Sequence, residues 1–388
     1  MNKERKHIIF LARWYPHRYD PMFGLFVQRH AEAAALFNDI TVIYCHACER
    51  QQDNKTTRQQ AMKFEIVRTN ENNVDTIRVY YKKPKNKIQS LLRIYRANMM
   101  ALKLCKKPDL IHVHVLTRLG VIAWIQKLLH KTPYIITEHW SRYLPGNDFS
   151  GFLRKTACKL VVRNAKTVTT VTENLATAMK NHGLKNDNYV VLPNVVNLDM
   201  FHINKKNTDA TSYVPTIIHI SCFEDKSKNI SGLLESLKII DDKGIDFQSK
   251  LIGEGMDLDL MKEKAKELQL INKVSFTGLL QGQALANELS SGDFLVLSSN
   301  YENMPVVILE ALASGLPVVS TNVGGIKEMI DDTKGILVEP RNKEALAEAM
   351  IKMIETHNNY DANYLRNSVI EKYGYESVGM FLSRLYNK

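Results

Sequence analysis

Two acidic side chains in the segment Tyr301–Pro317 lie in surroundings that favour different chemistry. Glu302 is on a loop that follows a predicted buried strand, Phe294–Ser298. Glu310 lies inside an apolar helix that ends at Gly315, with no basic residue three or four positions away. A buried carboxylate needs a partner, and the vicinal hydroxyls of a ribose would supply one, because a carboxylate accepts several hydrogen bonds. The alternative is a helix edge that leaves this glutamate solvated.

Gly24 follows the first predicted strand and opens a helix. A glycine at this position lets backbone N–H groups approach a phosphate closely. A plain turn that uses glycine for its conformation is an equally good interpretation.

Three short motifs resemble metal or redox sites. Cys45 and Cys48 form a single C-x-x-C motif without a second pair, so the end of a strand is the better interpretation. His112 and His114 share one face of a predicted strand, but no third ligand is close in sequence. Asp257-Leu-Asp259 falls at a predicted helix start, where aspartate interacts favourably with the helix dipole. We therefore predict no metal site.

Short runs rich in valine and isoleucine alternate with helical stretches along the whole chain. The predicted strands of the first half are Ile8–Ala12, Ile40–Cys45, Thr76–Tyr80, Leu110–Val115, Tyr134–Thr137, Thr167–Val171 and Tyr189–Leu192. Those of the second half are Thr216–Ser221, Ser249–Ile252, Val274–Thr277, Phe294–Ser298, Pro317–Thr321 and Gly335–Val338. Apolar strands that alternate with helices indicate doubly wound, mainly parallel α/β sheets. Since so many strands exceed one ordinary sheet, the sequence predicts two Rossmann-like domains, with ligands beyond the carboxyl ends of their strands.

The length of 388 residues also suggests two or three domains. We predict a first domain at 1–200, a polar linker at 201–215, a second domain at 216–362, and C-terminal helices at 363–388 that could pack back on the first domain. Apolar residues make up 45% and charged residues 24%, which excludes a disordered protein. No apolar run is long enough for a membrane span, so we expect a cytoplasmic protein.

Charge is distributed unevenly between the two halves. Residues 1–200 carry 32 Lys and Arg against 15 Asp and Glu, whereas the remainder has 20 against 26. A basic half and an acidic half indicate two domains with different partners.

The motifs together resemble glycosyltransferase family 4, also called glycosyl transferases group 1, whose members are retaining enzymes with the GT-B fold. Glu302 and Glu310 reproduce the E-x7-E motif of that family. The other matching segments of the second half are Leu192–Asn197 with Phe201, Lys228-Asn229 with Leu233–Glu235, Ile252–Gly255, Val274–Gly278, Asp293–Ser299, Glu310–Val319, Gly324-Gly325 with Glu328, and Gly335–Val338. Gly24–Gln28 and Thr137–Trp140 match more loosely. The resemblance implies two Rossmann-like domains facing a central cleft.

The resemblance also implies a role for each matching residue. His139 and Glu302 would be catalytic, with both side chains beside the transferred sugar. The implied donor-binding residues are Gly24, Lys228, Asn303, Met304, Pro305 and Glu310. Among these, Lys228 would contact the donor diphosphate and stabilise charge that develops as it leaves. The family needs no bound metal, so we expect no cofactor.

Two departures from the family pattern concern the donor. Ser221-Cys222 stands where the family usually has Gly-Arg, so a phosphate-binding arginine is missing, and Lys226 or an arginine of the first domain would have to replace it. Asn303-Met304-Pro305 replaces the common G-F-G sequence, which stiffens the backbone after Glu302 and could alter the sugar accepted.

Residues 82–107 contain nine Lys and Arg and no acidic residue, and Arg154–Lys166 adds five more. The apolar residues Ile88, Leu91, Leu92, Tyr95, Met99 and Leu102 have helical spacing, and we predict that this stripe is core. The surrounding charge could also meet anionic lipid, at about 1 kcal/mol per basic residue. The family resemblance favours such a membrane surface. A nucleic acid partner is not expected, because no reading motif accompanies the charge.

The sequence therefore predicts a GT-B enzyme that moves a sugar from a nucleotide-sugar to a hydroxyl of a glycan or lipid-linked acceptor, with retention of configuration. We expect it in the cytoplasm or peripherally on the inner face of the membrane. The alternatives are a nucleotide-sugar epimerase of GT-B architecture and a non-catalytic protein that binds sugar or lipid.

Overall fold

The computed structural model describes residues 5–49, 64–203 and 213–388, so most of the predicted linker lies outside the described residues. The chain forms two compact units. The first runs to Val171 and includes Leu175–Asn194 and Tyr375–Lys388, and the second comprises Thr172–Asn174 and Val195–Gly374. The division thus lies a few residues before the predicted boundary at 200, and the chain returns to the first unit at Tyr375 rather than at 363.

The first unit contains an eight-stranded sheet with helices on both faces. Its elements are β1 (His7–Ala12), α1 (Leu25–Ala35), β2 (Asp39–Cys48), β3 (Glu65–Glu71), β4 (Val74–Lys82), α2 (Lys87–Lys103), β5 (Leu110–His114), α3 (Thr117–His130), β6 (Tyr134–Glu138), α4 (Phe152–Asn164), β7 (Thr167–Thr170), α5 (Glu173–Asn181), β8 (Tyr189–Val191) and, after the second unit, α13 (Tyr375–Asn387). The strand order is β3-β4-β2-β1-β5-β6-β7-β8. All neighbouring pairs are parallel except β3 and β4.

The edge strand β3 is absent from the sequence-based prediction, which has seven strands here. Its side chains are mostly exposed, so it lacks the apolar run that marks the buried strands. A tight turn at Asn72 and Asn73, with φ of 50° and 61°, joins it to β4 in an antiparallel hairpin. Asparagine tolerates this left-handed conformation, which two-residue hairpin turns require. The Asn-Asn pair was thus the available sequence indication of the missed strand.

Helix α13 completes the first unit by packing on α1. The two helices approach so closely that a Cβ on Gly379 would lie 2.2 Å from the Ala33 carbonyl oxygen. The Tyr375 hydroxyl donates to Glu32 at 2.8 Å, and the Lys6 ammonium donates to the Tyr386 carbonyl at 2.9 Å. The end of the chain is therefore part of the first unit's core.

The second unit is a six-stranded, wholly parallel sheet covered by helices on both faces. Its elements are β9 (Thr216–Ile220), α6 (Asp225–Lys228), α7 (Ile230–Asp242), β10 (Gln248–Ile252), α8 (Leu258–Glu267), β11 (Val274–Gly278), α9 (Gly282–Ser291), β12 (Phe294–Leu297), α10 (Val306–Ala313), β13 (Val318–Thr321), β14 (Gly335–Val338), α11 (Lys343–Thr356) and α12 (Ala362–Tyr373). The order is β11-β10-β9-β12-β13-β14. Every predicted strand of this half is present within one residue at each end.

Both sheets have a topological switch point, where successive connections run in opposite directions. In the first sheet it lies between β1 and β5, and in the second between β9 and β12. Loops at the carboxyl ends of such strands splay apart and leave a crevice for ligands. The candidate residues Gly24 and His139 of the first unit, and Lys228 and Glu302 of the second, lie in connections that follow strands at these edges.

None of the described helices combines the length and apolar character that crossing a bilayer would require.

Candidate functional site

Lys228 and Glu302 meet at the switch point of the second sheet, although 74 residues separate them. The lysine ends α6 after β9, and the glutamate lies in the loop after β12. The Lys228 Nζ atom donates to Glu302 Oε1 at 2.5 Å, and the two side chains are only 19% and 11% exposed. Burial acts to lower the pKa of Lys228, but the adjacent carboxylate outweighs it and holds the pKa above its usual value. The lysine is therefore a fixed, charged donor.

The two serines after β12 hold this pair in place. The Ser299 hydroxyl donates to Glu302 Oε1 at 2.8 Å, and the Ser298 hydroxyl donates to the Lys228 carbonyl at the same distance. Both serines are fully buried, so their hydroxyls have little freedom to turn elsewhere. Both lie in the matching segment Asp293–Ser299, but the sequence assigned neither of them a role in the site.

The loop Asn303–Pro305 packs against a glycine pair that follows β13. Gly324 has φ of 59°, and a Cβ there would lie 1.9 Å from the Glu302 carbonyl oxygen, so only glycine fits. The Gly325 N–H donates to the Asn303 carbonyl at 3.0 Å, and the Thr172 hydroxyl donates to the Asn303 side-chain oxygen at 2.9 Å. The backbone after Glu302 is thus held from two sides.

Met304 and Pro305 complete this loop and lead into α10. Met304 is buried. Pro305 is the N-cap residue of α10, with φ of −69° and ψ of 118°. Glu310 lies in the middle of this apolar helix and is 4% exposed, which excludes the solvated edge considered from the sequence. The second unit therefore brings Lys228, Glu302 and the Asn303–Pro305 loop together and places Glu310 at the fifth residue of α10.

His139 follows β6 at the carboxyl edge of the first sheet and is buried. Its Nε2 atom lies 3.1 Å from Nδ1 of His114, and the two rings stack at 20°. The Phe26 ring is 4.7 Å away and connects His139 to the start of α1. Burial lowers the pKa of His139 well below its usual value, and nearby His30 and His112 lower it further. The imidazole is therefore neutral at neutral pH.

Glu138 fixes the backbone that carries His139. Its buried carboxylate accepts hydrogen bonds from the N–H groups of Leu116, His139 and Trp140 at 2.9–3.0 Å, and from the Tyr143 hydroxyl at 3.3 Å. Burial raises its pKa, and these donors act against that rise. The sequence pattern gave no role to this residue, because the Leu116 N–H that it accepts from lies in a distant segment after β5.

Gly24 is the N-cap of α1, with φ of 71°. A Cβ there would lie 2.3 Å from the Trp14 carbonyl carbon, so the turn itself requires glycine. This close backbone contact explains the residue whether or not a phosphate binds. Gly24 and His139 share the carboxyl edge of the first sheet.

One group of potential metal ligands occurs among the described residues, namely His30, His114 and His139, whose ligand atoms all lie within 4.8 Å of one another. His112 does not join it. Its ring instead contacts the Tyr386 hydroxyl at 2.9 Å and the Thr137 hydroxyl at 2.5 Å. Burial lowers the pKa of His30 to about 4. The sequence pattern did not indicate this group, because His30 comes from α1 and is distant in sequence from His114 and His139.

The other two motifs do not converge on a site. Cys45 and Cys48 are free thiols within β2, and three-residue spacing directs them to opposite faces of the strand. Asp257 accepts from the Asp225 N–H at 2.8 Å at the start of α8, while the Asp259 side chain is exposed to solvent. Both have structural explanations.

Two Rossmann-like α/β units, each with polar loops at its switch point, define the GT-B class of glycosyltransferases. The chain belongs to the group 1 glycosyltransferases: residues 202–371 match the family described as "Glycosyl transferases group 1", and residues 26–200 match "Glycosyltransferase Family 4". The predicted family and fold class are confirmed, and the protein is a glycosyltransferase.

Relatives and solved structures agree with this assignment. A Bacillus subtilis protein named as a teichuronic acid biosynthesis glycosyltransferase is 25% identical over 359 residues, which is 89% of this chain and 88% of that one. Sucrose-phosphate synthase from Thermosynechococcus elongatus has the same fold, with a TM-score of 0.78, 19% identity and coverage of 99% and 98%. Anabaena HepE, solved with UDP and glucose, has a TM-score of 0.72, 15% identity and coverage of 99% and 100%.

Proposed function

We propose that the enzyme transfers a sugar from a nucleotide-sugar to a hydroxyl of a glycan or lipid-linked acceptor, with retention of configuration, in the synthesis of a surface polysaccharide or its precursor. The observation that carries this proposal is the largely buried Lys228–Glu302 pair at the switch point of the second sheet. The similar HepE structure contains UDP and glucose, and the Bacillus subtilis relative is named for polysaccharide synthesis. Both support the proposed substrate classes.

Lys228 has the properties required to stabilise a leaving diphosphate. Its charge is retained by the pairing with Glu302, and its position is held by surrounding hydrogen bonds. A pre-positioned cation lowers the barrier because it need not reorganise while negative charge develops on the leaving group. We assign the diphosphate contact to Lys228, and Gly24 stays a predicted donor-binding residue of the first unit.

The remaining site residues are assigned to the sugar and the ribose. The second oxygen of Glu302, which the Lys228 and Ser299 bonds do not use, can accept from a hydroxyl of the transferred sugar. Asn303–Pro305 would form the wall of the same sugar site, and Glu310 would accept from the ribose hydroxyls. His139 is neutral, so it can exchange hydrogen bonds with the sugar without placing a charge beside it.

We propose that transfer requires no bound metal, because Lys228 supplies the positive charge at the leaving group. The His30, His114 and His139 group offers a direct test. Prolonged dialysis against a chelator should leave the transfer rate unchanged, and a fall that Zn²⁺ restores would assign a metal to these three histidines.

The first unit carries exposed apolar side chains among basic ones on α2, which supports a proposed contact with an anionic membrane. The predicted core stripe of α2 is wrong in its first half: Ile88, Leu91, Leu92 and Tyr95 are exposed, and Ala97, Asn98 and Ala101 are the buried residues. Exposed apolar side chains among lysines and arginines suit an interface that combines anionic headgroups with acyl chains. We propose peripheral attachment to the inner face of the membrane through α2.

A thermal-shift screen followed by a turnover assay tests the proposed reaction. Nucleoside diphosphates and nucleotide-sugars should raise the melting temperature, since ligands that bind only the native state stabilise it. Glycosylated acceptor, with the donor's anomeric configuration by NMR, should then form. An epimerase would change the nucleotide-sugar without an acceptor, and a binding protein would give the shift without turnover.

A further inference from the structure

Three arginines collect at the carboxyl edge of the first sheet, around its switch point. Arg13 follows β1 directly, Arg118 is the second residue of α3 after β5, and Arg142 lies in a 3₁₀ turn, Ser141–Tyr143, after β6. The Arg13 and Arg142 guanidinium groups face the same Trp140 ring, 5.0 and 3.5 Å from its centre. Arg13 also donates to the Thr117 hydroxyl at 3.1 Å, beside Arg118.

The charges of these arginines are not balanced within the protein. Over the described part of the chain, no carboxylate forms an ion pair with any of the three. The nearby Glu138 carboxylate is occupied by three backbone N–H groups and Tyr143. The Nε atoms of Arg13 and Arg142 are buried and find no hydrogen-bond partner among the described residues.

Placing unpaired guanidinium groups this close together raises the free energy of the folded protein unless a bound anion compensates their charge. Burial and the charges of Arg118 and Arg142 lower the pKa of Arg13 and outweigh the nearby Glu138 carboxylate, which raises it, so the surroundings disfavour the charged form. A bound oxyanion would favour the charged form again, because a guanidinium group donates paired hydrogen bonds to phosphate and carboxylate oxygens.

The walls of the arginine cluster suit a sugar ring. Trp14 and Trp140 stand edge to face, with ring centres 5.3 Å apart, and both are partly exposed. Trp140 directly follows His139. A ligand with its anionic group on the arginines would therefore present its ring to the tryptophans and to the edge where His139 lies.

We propose that Arg13, Arg118 and Arg142, with Trp14 and Trp140, bind an acceptor sugar that carries an oxyanion. This inference rests on the proposed function and names the class of its acceptor. The shared chemistry has two sources, the phosphate of a phosphorylated or lipid-linked sugar and the carboxylate of a sugar acid. The donor diphosphate is assigned to Lys228 in the second unit instead.

Titration calorimetry on the full chain, with UDP present at saturation, tests the proposal. The probes are glucose 1-phosphate for the phosphate source, glucuronate for the carboxylate source and glucose as the neutral reference. At least one anionic probe should bind tenfold or more tightly than glucose, and the probe that does so identifies the source. Equal affinities for all three overturn the proposal.

Substitutions then assign the binding to the arginines. Arg118→Gln and Arg142→Gln should each weaken binding of the anionic probe at least tenfold and leave UDP affinity unchanged. Lys185→Gln, which removes an exposed charge from the same unit, should change neither. If the variants lose affinity for UDP but still bind the anionic probe normally, the arginines bind the donor, and the proposal is overturned. Failure of UDP and of every other nucleoside diphosphate in the thermal-shift screen to bind the unaltered chain would instead count against the proposed function.

Discussion

The two units differ in whether the positive charges at the switch point of their sheet are paired with a carboxylate. At the switch point of the second sheet, Lys228 is paired with Glu302 inside the protein. At that of the first sheet, Arg13, Arg118 and Arg142 have no carboxylate partner among the described residues. A paired cation is held in position before any ligand arrives, whereas an unpaired cluster gains its compensation only from the ligand. The first arrangement suits catalysis and the second suits recognition.

Breaking the pair in the second unit should have the largest effect. Lys228→Met removes the cation and leaves Glu302 buried without its charge partner. We expect kcat/KM to fall at least roughly 100-fold, as for other pre-positioned groups that stabilise developing charge. Stability should fall by roughly 2–3 kcal/mol, less than for a fully buried pair. Steady-state kinetics and chemical denaturation measure the two effects.

Two further variants make this result specific. Lys243→Ala, which removes an exposed lysine from the same unit, should change neither quantity. Adding Glu302→Gln to Lys228→Met should restore part of the stability, because the double variant no longer buries an unpaired charge. Full additivity of the two stability losses would mean that the pair is not coupled.

The two glutamates should separate binding from transfer. Glu310→Gln is expected to weaken nucleoside diphosphate binding by roughly 1.5–3 kcal/mol, the usual value for a charged acceptor. Glu302→Gln should leave that binding nearly unchanged and depress transfer, since its proposed contact is with a sugar that the diphosphate lacks. Calorimetry with UDP and a transfer assay measure both. The opposite pattern would reverse the roles, and no change in either variant would refute them.

Acid should destabilise the first unit more than the second. The first unit has four fully buried histidines whose pKa values are lowered, namely His30, His112, His114 and His139. The described part of the second unit has one such histidine, His219. Such a histidine is neutral when folded and takes up a proton on unfolding below pH 6.5, so stability falls as the pH drops from 6.5 towards the folded pKa.

The size of this effect follows from the pKa of about 4 for His30. Between neutral pH and pH 5, a histidine shifted this far costs about 2 kcal/mol. The raised pKa of Glu138 makes stability change with pH in the opposite direction, but this is a single group compared with four histidines. Hydrogen exchange at pH 7 and pH 5 should show protection lost mainly in the first unit. Equal loss of protection in both units would contradict the attribution of acid sensitivity to the buried histidines of the first unit.

The first unit should also carry the membrane contact. We expect the protein to sediment with anionic vesicles, less so with added salt, because exposed charges are screened over about 8 Å at physiological ionic strength. Ile88→Ser with Leu92→Ser should reduce sedimentation several-fold. Leu260→Ser with Ile271→Ser, which alters equally exposed apolar residues of the second unit, should not. Equal binding to neutral and anionic vesicles would exclude the proposed surface.

The smallest effect is expected at the missing arginine of the second unit. Cys222 is exposed, so Cys222→Arg should leave the melting temperature nearly unchanged and should not lower donor affinity. The reason is that the substitution supplies the cation usual in the family next to Lys228. Unfolding of this variant, or loss of UDP binding in calorimetry, would show that the loop differs from the family arrangement.

Local sequence patterns determined most of the secondary-structure elements of this protein. Apolar runs and glycine-ended helices predicted the strands of the second unit within a residue, because a strand buried on both faces must be continuously apolar. The E-x7-E spacing placed one glutamate on a loop and one in a helix. By contrast, β3 was missed, since an exposed edge strand needs no apolar pattern, and the core stripe of α2 was wrong, since spacing alone does not tell which helix face is covered.

The tertiary structure alone decided which distant residues meet. Lys228 reaches Glu302 because β9 and β12 are neighbours in a sheet whose order differs from the chain order. The arginine cluster and the three-histidine group arise in the same way, from loops and a helix that are separate in sequence. Contacts of this kind depend on strand order and on helix packing across the sheet, which no local periodicity encodes. The sequence therefore determined the elements, and the packing of those elements determined the sites.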